Sequence, residues 1–294
     1  MRVALIFNPE SGRGRPKQQL SGGVVERLGE LGIRCELFPT SRPQHATELA
    51  REAAQKGYDR VVAWGGDGTL NEVMCALVGT GTVMAVLPGG TVNVFARETG
   101  IPLDLDGALR VLASGREHRI PVGVAGESPF LLMAGVGLDG EVVRRLELGF
   151  KKKLGAVAFW LDGFKLLASY PFPTMRVTCD GREMTGTGLI AGNLKRYGPR
   201  YFITPDARLT DPELDVVLFK GRHRRDYVRY LLGVMGRFHL RFKDVEHFKA
   251  SELTLDTDGD VPMQLDGEAA GSAPARIRIW KDALTVVLPA SFSE

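Results

Sequence analysis

A glycine-rich turn around an acidic residue is the part of this chain best suited to chemistry. Residues 65–72 read Gly-Gly-Asp-Gly-Thr-Leu-Asn-Glu and follow the apolar run 61–64. Glycines let a ligand approach the backbone closely, and a helix N-terminus offers N–H groups and partial positive charge to an anion. The Asp67 carboxylate suits a metal ion, a ribose hydroxyl or a proton. We interpret the segment as a phosphate site; the alternative is a capping box between Thr69 and Glu72.

The elements that would position this turn alternate along the first 120 residues. Strands are predicted over 2–8, 33–38, 60–64 and 82–87, and helices over 16–31, 44–56 and 70–78. This alternation predicts βαβ units on a parallel sheet, and such sheets bind ligands at the carboxyl ends of their strands. Glycine- and threonine-rich segments follow each strand, at 8–14, Thr40, 65–69 and 88–91. We therefore expect them to converge on one edge of the sheet.

The second part of the chain is richer in strands. The predicted strands are 129–135, 174–180, 186–192, 213–219, 241–248, 252–256, 262–266 and 275–280, with helices near 139–147, 154–168 and 224–237. This pattern predicts an antiparallel sandwich or barrel. The predicted domains are an α/β domain over 1–124, which 284–294 could join, and an all-β sandwich-type domain over 125–283.

Composition places the chain among ordinary globular proteins. It has 294 residues, 44% of them hydrophobic and 25% charged. Its three cysteines are far apart, which fits a reducing cytoplasm. The longest apolar run, 154–170, is interrupted by Asp162 and Lys165, so we expect no membrane-spanning helix.

Basic residues cluster in one stretch. Residues 220–243 contain eight Lys or Arg and one acid, Asp226, which makes the stretch +7 in a chain of net charge +3. Its apolar residues follow the spacing of one helical face, namely Tyr227, Val228, Tyr230, Leu231, Val234, Met235 and Phe238. This pattern predicts a helix that contacts an anionic membrane surface, with 151–153 (Lys-Lys-Lys) as a second contact. The alternative is a helix packed on the sandwich; no recognition motif favours nucleic acid.

Several motifs, in order, resemble the diacylglycerol kinase catalytic family, which includes bacterial lipid kinases and sphingosine kinases. They are Asn-Pro-x-Ser-Gly at 8–12, Gly-Gly-Asp-Gly-Thr-Leu-Asn-Glu at 65–72 and Pro-x-Gly-Thr-x-Asn-x-Phe-Ala at 88–96. Further matches are Gly-Val-Gly-Leu-Asp at 135–139, Pro-Asp-Ala-Arg-Leu-Thr-Asp at 205–211 and Leu-Asp-Gly-Glu at 265–268. The resemblance spans nearly the whole chain. It implies an NAD kinase-like nucleotide domain, a β-sandwich carrying the lipid site, and transfer of the γ-phosphoryl group of ATP to a lipid hydroxyl with Mg²⁺.

The resemblance also implies roles for particular residues. The ATP contacts would be Asn8, Pro9, Glu10, Ser11, Gly12, Thr40, Gly66, Asp67, Gly68, Thr69, Leu70, Asn71, Glu72, Thr91 and Asn93. Glu268 would be the general base, with Asp266 beside it. A structural magnesium would lie at Asp211, with main-chain oxygens of Arg208 and Glu213. From the residues alone, Asp266 and Gly267 equally predict a two-residue hairpin turn with a solvated Glu268 after it.

Two other functions stay open at this level. A kinase of a soluble metabolite, of the NAD kinase type, also uses a Gly-Gly-Asp-Gly turn. A catalytically silent lipid-binding protein is suggested by departures from the family pattern at Val94, Pro121 and Pro212. The predicted location is the cytoplasm, with peripheral membrane contact. The sequence does not indicate which lipid is phosphorylated or whether the chain forms a dimer.

Overall fold

The structure is a computed structural model that describes residues 1–9, 17–147, 166–167 and 169–293. The chain divides into two compact units. The first comprises Met1–Val122 and Trp280–Glu294, and the second comprises Gly123–Ile279. The sequence predicts domains over 1–124, which 284–294 could join, and over 125–283.

The first unit is built on a parallel sheet. Its strands are β1 (Arg2–Phe7), β2 (Arg34–Pro39), β3 (Arg60–Gly65) and β4 (Val83–Pro88), in the order β2-β1-β3-β4. The second half of the last strand, β18 (Ala275–Leu288), extends this sheet parallel to β4. Residues 3–7 of β1 are all buried, as expected for a strand covered on both faces. Because β2 and β3 lie on opposite sides of β1, the connections after β1 diverge, and such a point is where open α/β sheets bind ligands.

The helices of the first unit connect these strands. They are α1 (Lys17–Glu30), α2 (His45–Gln55), α3 (Asp67–Leu77), α4 (Val94–Thr99) and α5 (Leu105–Ser114). The sequence prediction placed the start of α3 at residue 70, which is wrong, because the helix begins directly after Gly66. It also missed α4 and α5, which are short. The α5 start carries a recognisable signal, since the Asp104 side chain accepts a hydrogen bond from the Gly107 N–H at 2.7 Å.

The second unit is an antiparallel sandwich. The strands of this part of the chain are β5 (Arg116–Ala125), β6 (Ser128–Phe130), β7 (Met133–Gly137), β8 (Met175–Cys179), β9 (Arg182–Gly186), β10 (Gly188–Gly192), β11 (Arg196–Tyr197), β12 (Tyr201–Phe202), β13 (Leu214–Phe219), β14 (Val245–Ala250), β15 (Glu252–Asp256), β16 (Val261–Leu265) and β17 (Glu268–Ala273). One sheet has the order β14-β13-β10-β7-β16-β17, and the other contains β8, β9, β15 and the first half of β18. The core between them includes Val136, Leu189 and Val216 from one sheet and Val177 and Ile277 from the other. An α/β unit and an antiparallel sandwich are the predicted fold class, which is confirmed.

Helices interrupt the sandwich at α6 (Leu138–Glu147) and α7 (Arg224–Met235), and a 3-10 helix spans His239–Arg241. That 3-10 turn displaces the strand predicted over 241–248, so β14 begins only at Val245. The strand predicted at 275–280 and the one at 284–288 are a single strand, β18. The helix predicted over 154–168 lies almost entirely outside the described residues. Among the helices that the structure describes, none is long and apolar enough to cross a membrane.

Candidate active site

The strand ends of the first unit meet at one edge. Phe7 at the end of β1 pairs with Pro39 of β2 and with Trp64 of β3, and Trp64 pairs with Leu87 of β4. The Thr40 N–H donates to the Phe7 carbonyl at 2.8 Å, so the segment after β2 stays beside β1. Asn8 and Pro9 directly follow β1. Three of the residues predicted to bind ATP, Asn8, Pro9 and Thr40, therefore lie at the edge where β3 and β4 also end. Glu10, Ser11 and Gly12 lie outside the described residues.

The N-terminus of α3 follows β3 at this edge. Its N-cap residue is Gly66, which has no side chain to cap the helix. The Glu72 carboxylate instead accepts the Ala46 N–H at 3.0 Å, and its carbonyl accepts the Thr47 hydroxyl at 2.9 Å. The capping-box alternative is therefore wrong, because Glu72 caps α2. The leading N–H groups of α3 are placed to bind an anion.

A second glycine turn, around Gly90, runs beside the turn around Gly66. A Cβ atom on Gly90 would lie 2.5 Å from the Gly66 Cα, so the two backbones touch. The Gly89 N–H donates to the Gly65 carbonyl at 2.8 Å. Glycine is thus required at position 90 for contact between the loops, independently of any ligand, whereas a Cβ on Gly66 would lie 3.2 Å from the Gly90 Cα.

Two polar side chains hold the second turn in shape. Asn93 adopts the left-handed conformation with φ 52°, and its amide exchanges hydrogen bonds with the Gly90 backbone at 2.9 and 3.0 Å. The Asp67 carboxylate accepts the N–H groups of Val94 and Phe95 at 3.0 and 3.3 Å, at the start of α4. Asp67 therefore joins the two glycine turns. The sequence alone does not predict this interaction, because it depends on the spacing of β3 and β4.

The remaining predicted ATP contacts differ in exposure. Gly68 and Thr91 are exposed, and Thr69 is half-buried. Leu70 and Asn71 are buried with exposed fractions of 4% and 8%, so their side chains face the core of the first unit.

In the second unit, Glu268 follows a tight hairpin turn between β16 and β17. Asp266 and Gly267 have φ 52° and 89°, so the predicted two-residue turn is confirmed. The Asp266 carboxylate accepts three backbone N–H groups, from Leu131, Leu132 and Met133, at 2.7 to 3.0 Å. Asp266 thereby anchors the turn, and Glu268 is held half-buried at the first position of β17.

A polar cluster of the buried Gln264 with the half-buried Asp139 and Tyr197 supports the same hairpin. Gln264 accepts the Gly267 N–H at 2.7 Å and donates to the Asp139 carboxylate at 2.8 Å. The Tyr197 hydroxyl donates to the other oxygen of Asp139. A Cβ on Gly135 would collide with this carboxylate, so glycine is required beneath it. The Gly-Val-Gly-Leu-Asp motif signalled Asp139 in the sequence, but not its partners.

Burial raises the pKa of Asp139 above its ordinary value, while the two hydrogen bonds lower it. The neighbouring Asp139 charge and burial together raise the pKa of Tyr197, so its hydroxyl stays protonated. Asp139 and Tyr197 therefore form a rigid polar end of an otherwise apolar region.

That region is a cavity of about 390 Å³. Asp139 and Tyr197 line it, together with Val136 of β7, Leu189 and Ile190 of β10, and Tyr227, Tyr230 and Val234 of α7. Two of its tyrosine hydroxyls are bonded within the protein, Tyr227 with Thr187 at 3.0 Å and Tyr230 with the Gly221 N–H at 2.8 Å. Its size is that of a small-molecule site, and its wall suits an alkyl chain.

The residues predicted to hold a structural magnesium include a carboxylate that has a basic partner in the structure. The Asp211 carboxylate is ion-paired with the Lys249 ammonium, and Arg208 and Glu213 are exposed. Across the described residues, no cluster of three or more His, Cys, Asp or Glu side chains could hold a metal. Lys249 thus supplies the positive charge that a metal would bring to Asp211. A structural magnesium there stays a prediction from the resemblance.

Comparison with known proteins covers both units. A family model described as the diacylglycerol kinase catalytic domain matches residues 2–125. A second, described as the YegS C-terminal NAD kinase beta sandwich-like domain, matches residues 133–288.

Relatives and solved structures agree with these matches. The diacylglycerol kinase of Bacillus subtilis (strain 168) is 28% identical over 298 residues, covering 100% of this chain and 98% of that protein. The diacylglycerol kinase of Staphylococcus aureus (strain MRSA252) is 27% identical, covering 93% of this chain and 88% of that protein. The crystal structure of a proposed diacylglycerol kinase from Bacillus anthracis str. Sterne has a TM-score of 0.81 at 25% identity, covering 99% of this chain and 96% of that chain.

The family models match the chain over nearly its whole length, in the order that the motifs predict. They place the glycine turns in the catalytic domain and the Glu268 hairpin in the sandwich. The chain therefore belongs to the diacylglycerol kinase family of lipid kinases, with a catalytic domain followed by a YegS-type NAD kinase beta sandwich-like domain.

Proposed function

We propose that this kinase transfers the γ-phosphoryl group of ATP, bound as its Mg²⁺ complex, to a hydroxyl of diacylglycerol or a closely related lipid. The observation that carries the choice of a lipid is the cavity of about 390 Å³, whose polar end is the Asp139–Tyr197 pair. A cavity of this lining binds alkyl chains by the hydrophobic effect. A polar metabolite such as NAD would leave its hydrogen-bonding groups unpaired there.

The first unit supplies the phosphate site. Phosphoryl transfer demands mainly positioning and neutralisation of charge, which backbone N–H groups and the bound Mg²⁺ provide. The N-terminus of α3, whose N-cap residue is Gly66, and the adjacent turn at Gly90 are suited to hold the triphosphate. Asp67 acts in this proposal as the residue that fixes the two turns relative to one another.

The second unit binds the lipid acceptor and carries the general base. The lipid hydroxyl oxygen attacks the γ-phosphorus while the bond to the bridging oxygen of ADP breaks, and the hydroxyl proton passes to the Glu268 carboxylate. Asp266 and Gln264 hold the turn that carries Glu268, so the base is positioned before the lipid binds. A positioned general base typically contributes about 100- to 10,000-fold.

The test is transfer of labelled γ-phosphate to a panel of acceptors: diacylglycerol, monoacylglycerol and sphingosine in mixed micelles, and NAD in solution. We expect diacylglycerol or a near relative to be the best acceptor. Faster transfer to NAD than to every lipid would replace this proposal with the metabolite kinase. Absence of transfer to any acceptor would favour the silent lipid-binding protein.

The same assay tests the base. Glu268→Gln is nearly isosteric but cannot take the proton, so kcat should fall by roughly 100-fold or more while the KM for ATP changes little. Glu183→Gln, an exposed change on β9, is the matched control and should keep the parental kcat. Parental kcat in Glu268→Gln would remove Glu268 from the base role.

A further inference from the structure

Helix α7 exposes an apolar stripe. Val228, Leu231, Leu232 and Met235 are 39%, 45%, 56% and 51% exposed, and Phe238 just beyond the helix is 39% exposed. Their spacing of three and four residues places the first four on one side of the helix. Singly exposed apolar residues are ordinary, but a contiguous group marks an interaction surface. These five residues are called the docking face below.

The sequence predicted one apolar face for this helix, and that prediction is wrong in part. Tyr230 and Val234 are buried and line the cavity, together with the half-buried Tyr227. The docking face points elsewhere, because its residues follow these by one position and are rotated around the helix. Leu231 contributes to both surfaces, because it lines the cavity and is also 45% exposed in the docking face. The exposed stripe thus reaches the cavity wall.

Cationic side chains flank the docking face at both ends. Arg222, Arg224 and Arg225 are exposed before and at the start of α7, and Arg237, Arg241 and Lys243 are exposed after it. Arg229 differs, because it is ion-paired with Asp244 and lies over the Phe242 ring at 4.9 Å. Apolar residues between clusters of exposed arginines are typical of helices that lie in the interface of an anionic bilayer. The same charges would repel each other if two copies of this face met in a symmetric dimer.

We propose that the docking face of α7 inserts into the surface of an anionic lipid bilayer, and that a lipid chain passes from the bilayer along Leu231 into the cavity. The second part rests on the proposed lipid kinase function. The docking itself does not, because it needs only the exposed stripe and its arginines.

Vesicle binding without ATP tests the electrostatic part. Arg222→Gln/Arg224→Gln/Arg225→Gln should weaken binding to phosphatidylcholine vesicles containing phosphatidylglycerol by about 100-fold at low salt, at about 1 kcal/mol for each arginine. Arg51→Gln/Arg116→Gln/Arg119→Gln removes the same charge from exposed positions of the first unit and should change binding far less. Raising salt should weaken the parent more than the α7 variant, because exposed charges are screened.

Substitution of the stripe tests insertion. Leu232→Gln/Met235→Gln avoids the cavity-lining residues and should weaken vesicle binding by roughly 10-fold or more, with an effect that survives high salt. Leu31→Gln/Leu103→Gln, at residues 52% and 42% exposed in the first unit, is the matched control. Both variants should melt within a few degrees of the parent, because the replaced side chains are largely exposed.

Three results would overturn the docking proposal. One is parental vesicle binding by both α7 variants at low salt. Another is a marked loss of melting temperature in Leu232→Gln/Met235→Gln with vesicle binding unchanged, since another part of the chain would then cover the face. The third is a parent dimer in solution that this variant turns into a monomer.

The kinase function and the membrane docking are tested by separate outcomes. If the parent binds vesicles through α7 but phosphorylates no lipid, docking stands and the kinase function is wrong. If it phosphorylates short-chain diacylglycerol but binds vesicles independently of α7, the reverse holds. With both correct, Leu232→Gln/Met235→Gln loses activity on vesicles and keeps it on the short-chain substrate.

Discussion

At the scale of single residues, the acidic side chains of the site act first as acceptors for backbone N–H groups. Asp67 accepts from Val94 and Phe95, and Asp266 accepts from Leu131 through Met133. A carboxylate with several N–H donors is held in one orientation, and it holds the donating loop in return. Both residues therefore position the chemistry, whereas Glu268 remains the candidate to perform it.

Asp67→Ala should lower the melting temperature by a few degrees, because loss of a helix-capping acceptor costs about 1–2 kcal/mol. It should also lower turnover by about 100-fold or more, since the two glycine turns lose their connection. Thermal unfolding and steady-state kinetics measure the two effects. Asp104→Ala is the matched control: it removes the cap of α5 in the same unit and should cost similar stability with near-parental kinetics. Equal kinetic losses in both variants would reduce the role of Asp67 to stability alone.

At the scale of elements, the second unit contains two tight turns of the same kind. Asp266–Gly267 joins β16 to β17, and Asp180–Gly181 joins β8 to β9; all four residues have positive φ. Such turns match the twist of paired strands and require φ > 0 at both positions. The two turns differ in their surroundings, because only Asp266–Gly267 leads directly into Glu268 and donates an N–H to Gln264.

Gly267→Ala and Gly181→Ala should each destabilise the protein by about 1–2 kcal/mol, since alanine pays a steric cost in the left-handed region. Only Gly267→Ala should lower kcat, because it shifts the strand start on which Glu268 lies. Denaturant unfolding gives the stabilities and the lipid assay gives kcat. A fall in kcat for Gly181→Ala of the same size would mean that activity follows the stability of the sandwich and not the position of Glu268.

At the scale of the whole molecule, each unit has its own buried core, and ionisable groups inside the second unit link its stability to pH. Asp215 is fully buried on β13, and its carboxylate lies 2.5 Å from the His247 Nε2 on β14. The hydrogen bond to Asp215, followed by the attraction of Asp215 and Asp206, raises the pKa of His247 above its ordinary value, while burial and Lys249 lower it.

A histidine whose folded-state pKa is raised stabilises the fold fully below its unfolded pKa of about 6.5 and loses that contribution as pH rises through the folded value. The melting temperature of the parent should therefore be higher than that of His247→Gln. This difference should be largest at about pH 5.5 to 6, below the unfolded pKa. The difference should shrink toward alkaline pH. Burial is the largest cause that lowers the pKa of His239, and the charge of His247 is a smaller one, so a small part of the difference passes through His239. A difference that stays constant or grows with pH would contradict the charged His247–Asp215 pair.

Local sequence determined a large part of this protein. Alternating apolar and amphipathic segments specify βαβ units, because strand and helix periods differ, and the two-residue turn at Asp266–Gly267 is readable because few residues adopt positive φ. The site residues that follow the strands were predictable for the same reason, since parallel strands end at one edge. Short elements such as α4 were not, because a helix of that length has little propensity signal and depends on Asp67 for its cap.

Tertiary structure decided which partner each polar or apolar group finds. Only the spacing of β3 and β4 brings Gly66 against Gly90 and Asp67 against α4, and only the register of β7 with β16 brings Gln264 over Gly135 to meet Asp139. The same is true of α7, where periodicity predicts an apolar face but the strands beneath it select which side is buried. Sequence periodicity specifies the local direction of a side chain, whereas contacts between residues distant in sequence arise only when the sheets pack.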